Sequence, residues 1–106
     1  MSRDALVSIV LPVYNGARFL AGSIQSCQAQ TYPHWELIVV DDCSTDSTPE
    51  IAAAFAADDA RIRVIRHEHN RKLPGALNTG FDAARGAYLT WTSDDNLYRP
   101  EALAEM

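Results

Sequence analysis

The chain has 106 residues, of which 47% are apolar, so it can form one small domain with a true core. Its formal net charge of −5 and its lack of a basic run exclude a nucleic-acid-binding surface. The two cysteines, Cys27 and Cys43, fit neither a disulfide framework nor a metal spacing, and they indicate free thiols in a reducing compartment. The sequence shows no signal-peptide pattern and no run of ~18 apolar residues, so a cytoplasmic protein is expected.

Hydrophobic periodicity predicts four strands that alternate with three helices. The first strand, 7–13, is nearly all apolar and rich in β-branched residues, as in a parallel strand buried on both faces. The later elements, in chain order, are helix 17–30, strand 36–42, a helix opening at Ser47, edge strand 61–67, helix 74–86 and strand 87–92. This alternation predicts an α/β fold of Rossmann-like type, with a mostly parallel sheet and helices on both faces.

Three chain positions carry signals for helix ends. Ser47 followed by Glu50 fits a capping box that opens the second helix. Gly86 is predicted to be the C-terminal stop of the third helix. After the fourth strand, which the pattern predicts to be buried, residues 99–106 are typical of the first turns of another helix, so we expect a piece of a longer protein.

Aromatic or polar side chains mark the carboxyl ends of three predicted strands: Tyr14 and Asn15, Asp41 and Asp42, and Asp94 and Asp95. The carboxyl ends of parallel strands share one rim, and ligands of such sheets bind beyond that rim. We therefore expect these side chains to face one crevice. Paired carboxylates suit Mg²⁺ or Mn²⁺, which can bridge to phosphates, and a single carboxylate can accept from a base N–H or a ribose hydroxyl.

Each candidate also has a purely structural interpretation. The aspartates are ordinary turn residues, and Tyr14 could be a half-buried core residue. Lys72, beside Arg71, is either a contact to phosphate or base or a solvated loop charge. His67 and His69 could share a face near the edge strand, but no third ligand lies nearby in the sequence, so a metal site there is not expected.

Two long stretches, 7–48 and 75–100, resemble the inverting family 2 glycosyltransferases of GT-A fold. Together they cover nearly the whole chain, and the combination is far more specific than any dipeptide in it. The ending DDNLYRP, residues 94–100, is most similar to the bacterial polysaccharide and spore-coat branch.

The resemblance implies that residues 1–106 form the N-terminal nucleotide-diphospho-sugar-binding part of a GT-A domain, cut before the acceptor-binding half. Pro12 and Tyr14 would line the base pocket, with Tyr14 stacking on the base. Asp42 would accept a hydrogen bond from the base, and Lys72 would contact base or phosphate. Asn15 and Asp41, beside these residues at the same rim, complete the predicted nucleotide-binding set.

For the metal, the resemblance implies that Asp94 lies near the ribose and that Asp95, with Asp94, ligates a Mn²⁺ or Mg²⁺ ion holding the diphosphate. Many family members carry a further aspartate two positions earlier, where this chain has Thr92, so the metal would rest on fewer carboxylates. The general base of such enzymes would lie beyond residue 106, and no catalytic residue is assigned within the chain.

The implied partners are a nucleotide-diphospho-sugar, with a UDP-sugar favoured, and a saccharide or lipid acceptor bound by the absent half. The full-length protein could then work at the inner face of the membrane. The chain alone is expected to bind donor without transferring sugar, and to self-associate as a homodimer through the face left uncovered.

The sequence also bears on three other interpretations. A phospho-receiver places its acidic pair after the first strand, whereas the pairs here follow the second and fourth. A dinucleotide-binding fold needs G-x-G-x-x-G after the first strand, where this chain has YNGAR. A non-catalytic nucleotide-binding or assembly fragment stays open as the alternative function.

Overall fold

The computed structural model describes residues 5–93 and 102–104 of the chain. The strands are β1 (Val7–Val13), β2 (Trp35–Asp41), β3 (Ile62–Arg66) and β4 (Tyr88–Trp91). They form a four-stranded sheet in the order β3-β2-β1-β4, and every pairing is parallel. The helices are α1 (Ala17–Gln28), α2 (Thr48–Asp58) and α3 (Lys72–Ala83).

The two central strands are the ones the sequence marks as most apolar. All seven residues of β1 and all seven of β2 are buried. Alternate side chains point to opposite faces, so each strand needs apolar residues on both sides. On one face Ile9 and Leu11 pack in the same core as Leu37, and on the other face Val10 packs with Ile38.

Helices cover both faces of the sheet, which confirms the predicted three-layer α/β architecture. Buried Leu20 of α1 and Ala52 of α2 join the core on the first face. Ala76 of α3 packs on the second face with Val10. Gly80 lets α3 approach the sheet closely, because a Cβ built there would lie 2.2 Å from Cγ1 of Val10.

Of the predicted helix ends, the start of α2 at Ser47 is confirmed without its predicted capping bond, and the end of α3 at Gly86 is wrong. Ser47 is the N-cap residue of α2, but its side chain makes no capping hydrogen bond. Instead the Thr48 amide donates to Oδ1 of Asp46 at 2.9 Å. α3 ends at Ala83, so Gly86 is not its cap; a Cβ at Gly86 would lie 2.6 Å from the Leu6 carbonyl oxygen, which shows that close approach to β1 selects glycine there.

The two edges of the sheet differ in character. β3 lies at one edge, as its alternation of apolar and basic residues predicts. β4 lies at the other edge, and the prediction that it is buried is wrong: Tyr88, Leu89 and Trp91 are 41%, 52% and 46% exposed. In the sheet that the structure describes, β4 pairs with β1 on one side, and these three side chains are exposed in part.

A buried polar cluster joins α3 and β4 to the start of the sheet. Glu36 accepts from the Ser8 hydroxyl at 2.6 Å, from the Arg85 amide at 2.7 Å and from Arg63 at 2.9 Å. Burial raises the pKa of Glu36, but these donors outweigh that effect and hold the pKa below its ordinary value. The cluster therefore favours the folded state when Glu36 is ionised.

Among the helices in the described part of the chain, none is both long enough and apolar enough to cross a bilayer.

Candidate functional site

The carboxyl ends of β1 and β2 and the beginning of α3 enclose a cavity of about 290 Å³. Four of the residues named from the sequence line it: Pro12, Tyr14, Asp42 and Lys72. They meet because parallel strands end at one rim and α3 starts immediately above that rim. The cavity is close in size to the smaller ligand pockets of proteins.

Tyr14 offers an aromatic face to this cavity. The residue follows β1 directly and is 52% exposed, so the interpretation as a core tyrosine is wrong. Leu73, at the first turn of α3, lines the same cavity and is 49% exposed. A planar ring bound here would contact an aromatic side chain and an aliphatic one, the apolar setting in which a base stacks.

Asp42 supplies the cavity with a fixed carboxylate. The residue is 4% exposed, and its Oδ1 accepts from the Arg71 amide at 2.8 Å and lies 2.8 Å from Nδ1 of His67. Burial raises the pKa of Asp42, but these two donors prevail and lower the pKa below its ordinary value. The carboxylate is therefore ionised and acts only as a hydrogen-bond acceptor at neutral pH.

Asp41 is placed differently from its neighbour. It is fully buried, its Oδ1 accepts from the Ser44 amide at 3.0 Å, and its Oδ2 lies 3.7 Å from Nε of Arg66. Successive side chains of a strand point to opposite faces, so only one aspartate of the pair can reach the cavity. Among the described residues Asp41 closes the turn after β2, and it is not part of the cavity lining.

Asn15 also connects chain segments near the rim. Its side-chain Oδ1 accepts a hydrogen bond from the backbone amide of Thr45 at 2.7 Å. Its backbone amide donates to the Ser44 hydroxyl at 2.9 Å. These contacts join the loop after β1 to the loop after β2. Asn15 therefore shapes the rim by holding two loops together, and the cavity lining does not include it.

Three residues at this rim have a left-handed backbone: Asn15, Cys43 and Lys72, with φ of 51°, 67° and 64°. One follows β1, one follows β2 and one begins α3. Such conformations cost free energy in residues other than glycine and concentrate at functional sites. Their common location supports the assignment of this rim as the binding site.

The metal-binding prediction concerns Asp94 and Asp95, which lie outside the described residues. Within the described ranges no three histidine, cysteine or acidic side chains are grouped as a metal site would require. Thr92, at the end of β4, is 3% exposed, and its hydroxyl oxygen has no hydrogen-bond partner among the described residues. The neutral hydroxyl of Thr92 is a weaker ligand for a divalent cation than an aspartate at the same position would be. Asp94 and Asp95 therefore stay the predicted metal ligands.

Several residues of the cavity were not anticipated. Val13, Asn70, Leu73 and Ala76 complete its lining, and buried His67 supports Asp42 from behind. The signal was available, because β3 ends at the same rim as the other parallel strands and is followed by His67 and Asn70. The alternation of apolar and basic residues in β3 indicates an edge strand, and by itself it gives no sign that the residues after β3 reach the cavity.

A parallel α/β sheet covered by helices on both faces, with a cavity at its carboxyl rim, defines a Rossmann-like protein of GT-A type. The chain belongs to glycosyl transferase family 2: the model of that family matches residues 8–106. The family that the sequence resembles is thereby confirmed.

Individual relatives agree with this assignment. The chain is 36% identical over 98 residues to the putative teichuronic acid biosynthesis glycosyltransferase TuaG of Bacillus subtilis, covering 92% of this chain and 39% of TuaG. The crystal structure of S. aureus TarS 1-349 in complex with UDP superposes with a TM-score of 0.86 at 27% identity, covering 93% of this chain and 30% of that one.

A third similar protein is a mannosyltransferase. The mannosyltransferase PcManGT of Pyrobaculum calidifontis, solved in complex with GDP-Man and Mn²⁺, superposes with a TM-score of 0.86 at 29% identity, covering 92% of this chain and 30% of that one. The chain spans 12% to 39% of the length of the curated relatives it matches.

Proposed function

We propose that this chain forms the donor-binding part of an inverting glycosyltransferase, which transfers a sugar from a nucleotide-diphospho-sugar to an acceptor. The observation that carries the proposal is the cavity itself. It combines an exposed aromatic ring, Tyr14, with a fixed acceptor, Asp42, at the carboxyl rim of a family 2 chain. A base can stack on the ring and donate its N–H to the carboxylate.

The proposed base is one that carries a ring N–H. Asp42 accepts hydrogen bonds only, so it favours uracil, thymine or guanine over bases whose ring nitrogens are all acceptors. Asn70 can add a donor beside it: its Oδ1 already accepts from the Lys72 amide at 2.9 Å, which orients the side-chain NH₂ group. A donor next to an acceptor suits the adjacent carbonyl and N–H of uracil, and the UDP complex of TarS supports this choice.

The diphosphate of the donor would extend from the cavity toward the end of β4. Lys72 lines the cavity and supplies one positive charge, but the chain carries a formal net charge of −5. A divalent cation would offset the repulsion between the phosphates and the acidic rim. Asp95 and Asp94 would hold Mn²⁺ or Mg²⁺, whose chemistry is to neutralise charge on the departing diphosphate. The Mn²⁺ complex of PcManGT supports the choice of ion.

Transfer itself would also need a general base, which we do not assign among the described residues. Of the acidic pair at the end of β2, Asp41 is held in a turn and Asp42 serves the base. A general base beyond residue 106 would deprotonate a saccharide or lipid acceptor. We place the whole protein in the cytoplasm, at the inner membrane face when its acceptor is a lipid, and we expect the chain alone to bind donor without turnover.

A second candidate function is a non-catalytic nucleotide-binding or assembly module. The uncovered apolar side chains Tyr88, Leu89 and Trp91 of β4 favour it, because an exposed apolar strand at a sheet edge can pair with another copy. The homodimer that this implies does not require catalysis.

The test is a binding panel of UDP, GDP, dTDP and CDP with Mn²⁺, measured by calorimetry. We expect UDP to bind and Asp42→Asn to weaken binding by about 1–3 kcal/mol, because the asparagine oxygen would stay with the His67 and Arg71 donors and its NH₂ group, a donor, would face the base N–H. Asp82→Asn, on the exposed side of α3, is the matched control and should bind like wild type. Equal UDP affinity in wild type and Asp42→Asn would contradict the proposal. Asp95→Asn should separately weaken binding in Mn²⁺.

A further inference from the structure

His67 is a buried titratable residue that the donor-binding proposal does not use. It directly follows β3, is 4% exposed and lies between two elements. On one side its Nδ1 is 2.8 Å from Oδ1 of Asp42, after β2. On the other side its Nε2 is 2.8 Å from the hydroxyl oxygen of Thr79, in α3. Both ring nitrogens therefore have a partner.

The hydrogen-bonding partners of His67 determine which ring nitrogen carries a proton. An ionised carboxylate accepts hydrogen bonds and donates none, so Nδ1 of His67 must carry a proton and donate it to Asp42. The Thr79 hydroxyl has one proton and two acceptors in reach, Nε2 of His67 and the Gly75 carbonyl oxygen at 3.0 Å. Thr79 can thus satisfy Nε2 whether that nitrogen is bare or protonated.

The consequence for Asp42 is a fixed orientation. The hydrogen bonds from His67 and from the Arg71 amide both end on Oδ1, and the backbone amide of Lys72 is a further donor to the same carboxylate. They come from two different segments, one after β3 and one immediately before α3, so together they restrict rotation of the carboxylate. With two donors on Oδ1, Oδ2 is the oxygen with the greater remaining capacity to accept from a ligand in the cavity that Asp42 lines.

We propose that His67 is a positioning residue for the nucleobase: through its Nδ1–H it holds Asp42 so that Oδ2 meets the base N–H. This inference rests on the proposed donor-binding function, and it adds a residue that touches no ligand atom. The alternative is that the ring only packs between β3 and α3, with Thr79 as its important partner.

Two substitutions separate these roles. The side-chain NH₂ of asparagine reaches the place of Nδ1, so His67→Asn can keep the bond to Asp42 and loses the one to Thr79. The NH₂ of glutamine reaches the place of Nε2, so His67→Gln keeps the bond to Thr79 and loses the one to Asp42. Both variants are uncharged and have lost the ring, which makes each the control for the other.

The measurement is UDP affinity with Mn²⁺, alongside thermal unfolding without nucleotide. We expect His67→Asn to bind nearly as wild type and His67→Gln to bind about tenfold more weakly, the factor that ~1.4 kcal/mol of lost hydrogen bonding produces. A UDP analogue methylated at N3 has no N–H for Asp42, and its affinity should not differ between the two variants. Equal affinity for UDP in both variants, or a larger loss in His67→Asn, overturns the proposal.

A second measurement needs no substitution. Nitrogen-15 NMR of wild type in the absence of nucleotide should show that Nδ1 of His67 is protonated. A spectrum with the proton on Nε2 alone would overturn the proposal even if the variants failed to fold. If wild type binds no nucleotide, the donor-binding function and this inference fail together; if Asp42→Asn loses UDP and both His67 variants keep it, only the inference fails.

Discussion

Gly80 sets the distance between α3 and the sheet. The substitution Gly80→Ala tests how much stability depends on that distance. The added Cβ would lie 2.2 Å from Cγ1 and 2.9 Å from Cγ2 of Val10, which is fully buried in β1. Nonbonded carbon atoms prefer ~3.5 Å, so α3 would have to withdraw by about 1.3 Å or Val10 would have to leave its rotamer. Either change disturbs the central strand of the sheet.

The magnitude follows from two opposed contributions. Alanine is a better helix former than glycine by ~1 kcal/mol, whereas overpacking a core costs ~1–3 kcal/mol. Because Val10 has no free space on the central strand, we expect the upper end of that cost and a net loss of ~1–2 kcal/mol. The melting temperature should fall by about 5–15 °C in a chain of this size.

The assay is urea unfolding followed by the fluorescence of Trp35, which is 1% exposed. Val10→Ala removes the clashing atoms, so the double variant should be more stable than the sum of the single effects by at least ~1 kcal/mol. Asn78→Ala, an exposed alanine substitution in the same helix, controls for helix propensity. Additive effects of the two core substitutions would refute the reasoning, since additivity would mean that Gly80 and Val10 are not in steric contact.

Two further predictions concern the polar cluster and the β4 edge. The pKa of Glu36 is lowered in the folded state, so its stabilisation is complete above the ordinary value of 4.5 and is lost as pH falls through the lower folded value. Denaturation curves from neutral pH to pH ~3 should therefore be less acid-sensitive in Glu36→Gln than in wild type, with exposed Glu50→Gln as the control; identical pH profiles would count against the cluster. Leu89→Lys should reduce self-association in sedimentation velocity, whereas Phe19→Lys, which alters a similarly exposed side chain on α1, should not; loss of association in both would point away from β4.

The fold was predictable wherever one local signal dominated. The apolar runs of β1 and β2 leave no polar face, so only a doubly covered parallel sheet can accommodate them. The exposure of β4 was not predictable. A short apolar run that contains Tyr88 and Trp91 has the same sequence pattern whether or not another strand lies beside it. Gly86 likewise looks like a helix stop in sequence, and only the packing against Leu6 gives its actual reason.

The sequence predicted the kinds of side chain at the site better than the role of each residue. Asp41 and Asp42 are indistinguishable in a sequence, and the register of β2 decides which of them turns toward the cavity. The role of His67 depends on contacts with Asp42 and with Thr79, which are 25 and 12 residues away along the chain. Periodicity and motifs describe neighbours in sequence, so contacts of this range appear only in three dimensions.

The two edges of the sheet differ, and this difference limits the number of copies that an assembly of this chain could contain. β3 carries Arg66, whose side chain is 55% exposed, at one edge, whereas β4 carries the exposed Leu89 at the other. If copies associate, β4 offers the apolar edge and β3 the edge at which two Arg66 charges would meet. A pair joined through β4 would use both apolar edges and leave only arginine-bearing strands outside, which would disfavour growth into a fibril.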